Sequence, residues 1–204
     1  MKNKIAAAFF LIFLVQTASA SEVKAMFGLN SSKYVFSSST QSLEQQSKSG
    51  MAFGVGWAFT FAPNMKLEVN AIYGQKGAKV AITNAPAETV SGIYKNTTLG
   101  LPIFFKYQFK ENASPYFAFG PEFALITSHH LVLTESKMDY DLSATTKKFI
   151  LAFNALLGYE IPFGPWGLFA EVRYNRWLSN FLDDPINTMK SESFVFMIGG
   201  VYYL

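Results

Sequence analysis

The strongest constraint on the fold is an alternation of apolar residues with polar or small ones that recurs eight times along the 204-residue chain. Alternation with a period of two is typical of β-strands, whose successive side chains point to opposite faces. One face of each segment is aliphatic or aromatic and carries no charge, whereas the other is rich in Gly and Ala and holds the charged residues. We predict strands at about 22–30, 51–61, 65–74, 97–109, 115–126, 148–161, 167–176 and 193–204.

The connections between these strands alternate in length. Three are short and turn-like, at 62–64, 110–114 and 162–166, and four are long, at about 31–50, 75–96, 127–147 and 177–192. Short turns on one side and long loops on the other are the plan of an outer-membrane barrel with both termini in the periplasm. The predicted fold is therefore all-β, an eight-stranded antiparallel up-and-down transmembrane β-barrel.

The first twenty residues have the features of a secretory signal peptide. Lys2 and Lys4 precede an apolar stretch at 5–15, and the small residues at 18–20 form a cleavage site. The apolar stretch is shorter than the roughly 20 residues that a membrane-spanning helix needs. We predict a signal peptide at 1–20, a barrel domain at 21–204, and export to the outer membrane of a Gram-negative bacterium.

Composition excludes several classes of protein. The chain has no Cys, which excludes disulfides, thiolate metal sites and Cys nucleophiles. Charged residues make up 15% and aromatic residues 17% of the chain, whereas a disordered chain is rich in charged residues and poor in aromatic ones. The 17 basic and 14 acidic residues are spread along the sequence, so a nucleic-acid partner is not expected. No motif indicates a cofactor or a metal.

The volume of a small barrel decides which face is outside. The interior of an eight-stranded barrel is just wide enough for side chains, and the apolar face is too bulky to fill it. We therefore place the apolar face against lipid, although a soluble barrel with that face inside is the structural alternative. Aromatic residues near the strand ends would form two interfacial belts, with Tyr73, Phe149, Tyr174 and Trp177 in the outer one.

The inward face then carries four positive and four negative side chains. Buried charges need partners or water, so a balanced set predicts an ion-paired plug. We predict a polar network in the lumen in which glutamates pair with basic residues, and a narrow polar pathway through the same residues is the alternative. The network comprises Lys66, Glu68, Lys106, Glu122, Glu160, Glu171 and Arg173; Lys24 is also inward, and Phe104, Tyr116, Phe169 and Tyr203 add bulk.

Most of the remaining polar chemistry lies in the third long connection. A surface His assisted by an acid and a Ser could modify lipids, and here Ser128, His129, His130 and nearby acids share one segment. Adjacent histidines of an extended segment point to opposite sides, so at most one could serve. A solvated loop without a site is the alternative that we favour. The second connection is basic, with Lys76, Lys79 and Lys95.

Several segments resemble the PorT-like family of outer-membrane β-barrel proteins. The residues that carry the resemblance are 99–107, 115–121, 158–160 and 171–174, and it extends over most of the chain after the signal peptide. The architecture is also similar to that of small OmpA/OmpX-type barrels. The resemblance implies an outer-membrane barrel from a family in which most members have no assigned biochemical role.

Together these observations predict a non-enzymatic outer-membrane barrel. It would act as an envelope scaffold or binding protein through its extracellular loops, with a lumen plugged by ion pairs. Its expected surroundings are outer-membrane lipid, and an envelope protein or a glycan is the expected kind of ligand at the loops. A narrow pore for small solutes is the second hypothesis, and a lipid-modifying enzyme is the third.

Overall fold

The computed structural model describes residues 20–37, 43–84, 88–110, 114–182 and 188–204. The predicted signal peptide lies outside this part of the chain except for Ala20. Within the described residues no helix is long and apolar enough to cross a membrane. The strands are β1 (Ala20–Ser37), β2 (Leu43–Ala62), β3 (Met65–Asn84), β4 (Glu88–Gln108), β5 (Ser114–Leu133), β6 (Asp139–Asp141), β7 (Phe149–Phe163), β8 (Trp166–Trp177) and β9 (Thr188–Tyr203).

Eight long strands close into an antiparallel barrel, as the alternation predicted. Each long strand pairs with the next one along the chain, and β1 closes the barrel against β9, with Phe27 opposite Ile198. The short β6 is an addition outside this ring, because it pairs only with one end of β5. The tight turns after β2 and β7 place Asn64 and Gly164 at positive φ, 63° and 66°.

The outward side chains form a continuous apolar band around the barrel. Phe27, Leu99 and Phe123 are about half exposed, and no charged side chain faces outward within the band among the described residues. On β1 and β3 the band ends where outward residues become polar: Ser31 follows Leu29 on β1, and Gln75 follows Tyr73 on β3. A Lys or Arg inside such a band would cost about 2–4 kcal/mol at the bilayer centre. The face predicted to meet lipid is therefore the outward one.

Beyond the band the strands continue, which corrects the predicted long loops. Most of 31–50, 75–96 and 127–133 is strand, and we call this part of the barrel the outer extension. There the polarity of the two faces reverses. On β3, Tyr73 faces outward in the band, but farther along the strand Lys79 is exposed on the outside and Val80 is buried inside. A polar exterior over an apolar interior is the pattern expected where a sheet leaves lipid for water. The reversal hides these strands from a search for one constant apolar face.

Candidate functional site: the occluded lumen

The lower lumen, inside the apolar band, is filled by an ionic layer. Lys24 lies at its centre, where its Nζ donates to Glu68 Oε2 at 2.6 Å and lies 3.9 Å from Glu160 Oε2. Lys106 Nζ donates to the same Glu160 oxygen at 2.8 Å. The side chains of Lys24 and Lys106 have no exposed surface. Two lysines and two glutamates therefore form one buried network, with Lys106 also 4.0 Å from the centre of the Tyr116 ring.

Two further pairs enclose this centre. Lys66 pairs with Glu22 near the end with the short turns and also donates to Gln108. Arg173 pairs with Glu171, which in turn accepts a hydrogen bond from the Tyr116 hydroxyl at 2.9 Å. Phe104 lies under the Arg173 guanidinium, with 5.2 Å from its Cζ to the ring centre. Every cation of the ionic layer thus has a carboxylate partner.

Above the ionic layer lies an amide layer around a small cavity. Glu122 Oε2 accepts from the side-chain amides of Asn154 and Asn175, each at 2.8 Å. Lys76 Nζ donates to Asn175 Oδ1 at 2.6 Å, so Asn175 bridges a buried cation and a buried carboxylate. Burial lowers the pKa of Lys76, which Glu122 only partly offsets. The cavity, of about 40 Å³, is lined by these four residues and by others that include Asn30 and Arg173.

The outer end of the lumen is closed by an aromatic layer. Trp177 and Phe181 meet edge to face at 5.4 Å between ring centres, and Tyr34 stacks on Phe181 at 5.5 Å. The Trp177 ring covers Lys76, whose Nζ is 5.2 Å from the ring centre. Trp177 is fully buried, which corrects its predicted place in the outer aromatic belt. Cation–π contact and packing, instead of ion pairs, hold this end of the lumen.

The two histidines point to opposite sides, as expected for neighbours on a strand. His129 is buried, stacks on Tyr94 and packs edge to face on Phe181. Its Nδ1 lies 2.8 Å from Thr146 Oγ1, and because that hydroxyl donates to the Leu142 carbonyl, Nδ1 is the protonated nitrogen. Burial, and to a smaller extent the charge of His130, lowers the pKa of His129 to about 4.

His130 lies on the outside and bonds Asp139 at 2.9 Å between Nδ1 and Oδ1. His129 contacts Ser143 through its backbone N–H, which donates to Ser143 Oγ at 3.3 Å. Among the described residues no serine hydroxyl therefore bonds either imidazole, and no group of three or more potential metal ligands is present. The Ser–His contact that the lipid-modifying hypothesis needs is therefore not formed among the described residues.

The structure places the predicted network residues in the barrel, with two differences in their partners. Glu122 bonds amides instead of a cation, and Lys24 is the hub of the network although the predicted pairing left it out. Two members were missed. Glu22 lies near the start of β1, and Lys76, which falls in the predicted loop at 75–96, is a buried residue of β3. On β3 the even positions, such as Lys66 and Glu68, point inward. Extending this pattern along the strand would have predicted that Lys76 points inward as well.

Comparison with known proteins agrees with this architecture. No curated protein sequence matches the chain. The structure is similar to the outer membrane protein OprG from Pseudomonas aeruginosa, with a TM-score of 0.57 and 14% identity over 91% of this chain and 96% of that one. It is also similar to Neisserial surface protein A, NspA, with a TM-score of 0.50 and 16% identity over 92% and 99%. A sequence family described as outer membrane protein beta-barrel domain matches residues 15–183, and the chain belongs to this family of bacterial outer-membrane barrels.

Proposed function

We propose that the chain is a non-enzymatic scaffold or binding protein of the outer membrane with a closed lumen. It acts through its outer extension, and both termini lie in the periplasm. The observation that carries the proposal is the filling of the lumen by ionic, amide and aromatic layers in succession. A barrel closed in this way has its accessible side chains on the outside, and a rigid scaffold commonly carries function at its exposed ends. The finer relationship to PorT-like proteins is part of this proposal.

Planar-bilayer conductance of the refolded barrel tests whether the lumen is closed. We expect no current from the wild type once folding has been verified by its heat-dependent gel shift. The variant Trp177→Ala should also be silent, because the ionic layer below the aromatic layer stays intact. Steady, discrete current steps from the folded wild type would contradict the closed lumen.

Photo-crosslinking in native cells tests whether the outer extension binds a partner. A crosslinker in place of Tyr140 on β6, which is 46% exposed, should give a discrete protein or glycan adduct. The matched control replaces Phe123, which is 54% exposed but faces lipid within the apolar band. Equal adducts from both positions, or none from Tyr140, would contradict binding through the outer extension.

A narrow pore is the second candidate, favoured by the cavity in the amide layer. Its volume of about 40 Å³ is enough for ordered water. Two of the residues that line it, Asn30 and Arg173, each have a buried polar atom, Oδ1 and Nη1, without a hydrogen-bond partner among the described residues. Such atoms could pass a small polar solute if the aromatic layer opened. The pore hypothesis predicts that Glu122→Gln changes the current of a conducting barrel.

A further inference from the structure

A groove of about 420 Å³ runs across the outside of the outer extension, over β2 to β5. It begins where the apolar band ends. On β3, Gln75 is the next outward residue after Tyr73, and on β4, Thr97 is the last outward residue before Leu99. This is the height of lipid headgroups for a barrel whose band lies in the hydrocarbon. The outward side chains that line it are Lys48, Gln75, Lys95, Thr97, Ser128 and His130, with Asp139 at the rim.

The groove presents two outward lysines, Lys48 and Lys95. No described carboxylate lies within ion-pair distance of Lys48 or Lys95. Half-buried Lys48 has its pKa lowered by burial and then by the charge of Lys95. The stem of Lys48 lies over Gly77, where a Cβ atom would be 2.8 Å from Lys48 Cδ. The Asp139 carboxylate at the rim is already bonded by His130.

On β1 and β8, outside the groove, Lys33 and Arg176 both have Glu192 as an acidic partner. Lys33 Nζ lies 3.7 Å from Glu192 Oε2, and Arg176 Nε lies 3.6 Å from Glu192 Oε1. The chain therefore supplies a carboxylate to both of those cations, whereas Asp139, the carboxylate described at the groove, is bonded by His130. Hydroxyl and amide groups from Thr97, Ser128 and Gln75 add hydrogen-bond donors beside the two ammonium groups.

We propose that this groove binds a phosphate group of a glycolipid in the outer leaflet of the membrane. Two ammonium groups and several neutral donors match a phosphate, for which charge-assisted hydrogen bonds are the strong contacts. The position directly above the apolar band selects a phosphate that is fixed to a lipid. This inference rests on the orientation in the proposed function, in which the outer extension leaves the membrane on its external side.

Co-purification of lipid A tests the proposal. The wild type, the double variant Lys48→Gln/Lys95→Gln and the control Lys33→Gln/Arg176→Gln are refolded in phosphatidylcholine vesicles with added bisphosphorylated lipid A. Bound lipid is then counted by native mass spectrometry after transfer to detergent. We expect the double variant to retain lipid A about 30-fold more weakly, since two lysines near an anionic surface are lost. The control should differ from the wild type by less than about twofold.

Three outcomes would overturn the proposal. Equal retention by the wild type and the double variant would remove the groove as the site, and equal loss in the control would indicate general attraction between charges. Displacement of lipid A by millimolar inorganic phosphate would identify the free anion as the ligand. The gel shift verifies folding of each variant. Because the assay needs neither a closed lumen nor a protein partner, its failure is distinguishable from failure of the conductance or crosslinking tests.

Discussion

The lower and upper halves of the lumen close the same barrel by different physical means. In the ionic layer each unpartnered polar atom belongs to a group that already holds another bond, as with Arg173 Nη1 and Glu22 Oε2. In the aromatic layer Trp177 Nε1, the one polar atom of its side chain, has no hydrogen-bond partner among the described residues. Within the band, lipid excludes water from outside the barrel, so charges must find partners inside it. Above the band, packing of aromatic surface is enough.

The sharpest way to break this comparison is to remove the hub of the ionic layer. Lys24→Met should destabilise the barrel by about 3–5 kcal/mol, because Glu68 and Glu160 lose a buried cation. The measurement is urea unfolding in lipid vesicles, monitored by tryptophan fluorescence. The double variant Lys24→Met/Glu68→Gln should recover much of the loss, since it restores the balance of buried charge.

The matched control for this variant is Lys33→Met. Lys33 is exposed and its pairing distance to Glu192 is 3.7 Å, so its removal should cost less than about 1 kcal/mol. A loss below 1 kcal/mol for Lys24→Met would mean that the carboxylates are screened by water, and the ionic layer would then be an open, hydrated path.

The ionic layer also shows how far sequence reasoning reaches. Inside the band the strand register follows from one apolar face, so the inward positions of Glu68, Lys106 and Glu160 can be predicted from parity alone. Which charge meets which cannot be predicted in this way. Partners on β1, β3, β4 and β7 are set by the curvature and stagger of the closed barrel, and Lys24 reaches Glu68 across 44 positions of sequence.

A smaller effect separates the two halves through a matched pair of tyrosines. Tyr116→Phe removes a hydroxyl that donates to Glu171 at 2.9 Å and should cost about 1.5–3 kcal/mol, as expected for a hydrogen bond to a charged group. Tyr34→Phe removes an equally buried hydroxyl that makes no hydrogen bond with a described residue, although Asn96 lies beside it. This change should be neutral or slightly stabilising.

Unfolding free energies of the two variants, measured under one set of conditions, test the difference. Equal costs would show that the Tyr34 hydroxyl has a partner such as water, and that the upper half is hydrogen-bonded like the lower half. Either variant leaves the ring in place, so packing is conserved and the comparison isolates the hydroxyl group.

The aromatic layer could not be predicted, for a reason that the strands themselves explain. Above the band the exterior is polar. The apolar residues that pack inside there occupy the same inward strand positions that hold charged residues within the band. On β1, Tyr34 and Lys24 both occupy even, inward positions, and on β3 the same holds for Val80 and Lys76. A prediction that requires the same face to be apolar along the whole strand therefore ends each strand at the membrane boundary. It places Lys76 in a loop and His129 on the surface, whereas both side chains are buried in the structure.

The smallest expected effect is a titration within the aromatic layer. The folded barrel lowers the pKa of His129 from 6.5 to about 4, chiefly because burial disfavours the charged ring. The unfolded chain therefore takes up a proton at a higher pH than the folded one. The stability that neutral His129 provides is complete above about pH 6.5 and is lost as the pH falls towards 4.

The ring signals of the two histidines in a proton NMR titration test this prediction, with His129→Gln used for assignment. The His129 signal should stay constant down to about pH 5. The unfolding free energy of the wild type should then fall more between pH 7 and pH 5 than that of His129→Gln. A His129 signal that titrates near pH 6.5 would mean that water reaches the ring from outside. The aromatic layer would then be an open vestibule, and only the ionic and amide layers would close the lumen.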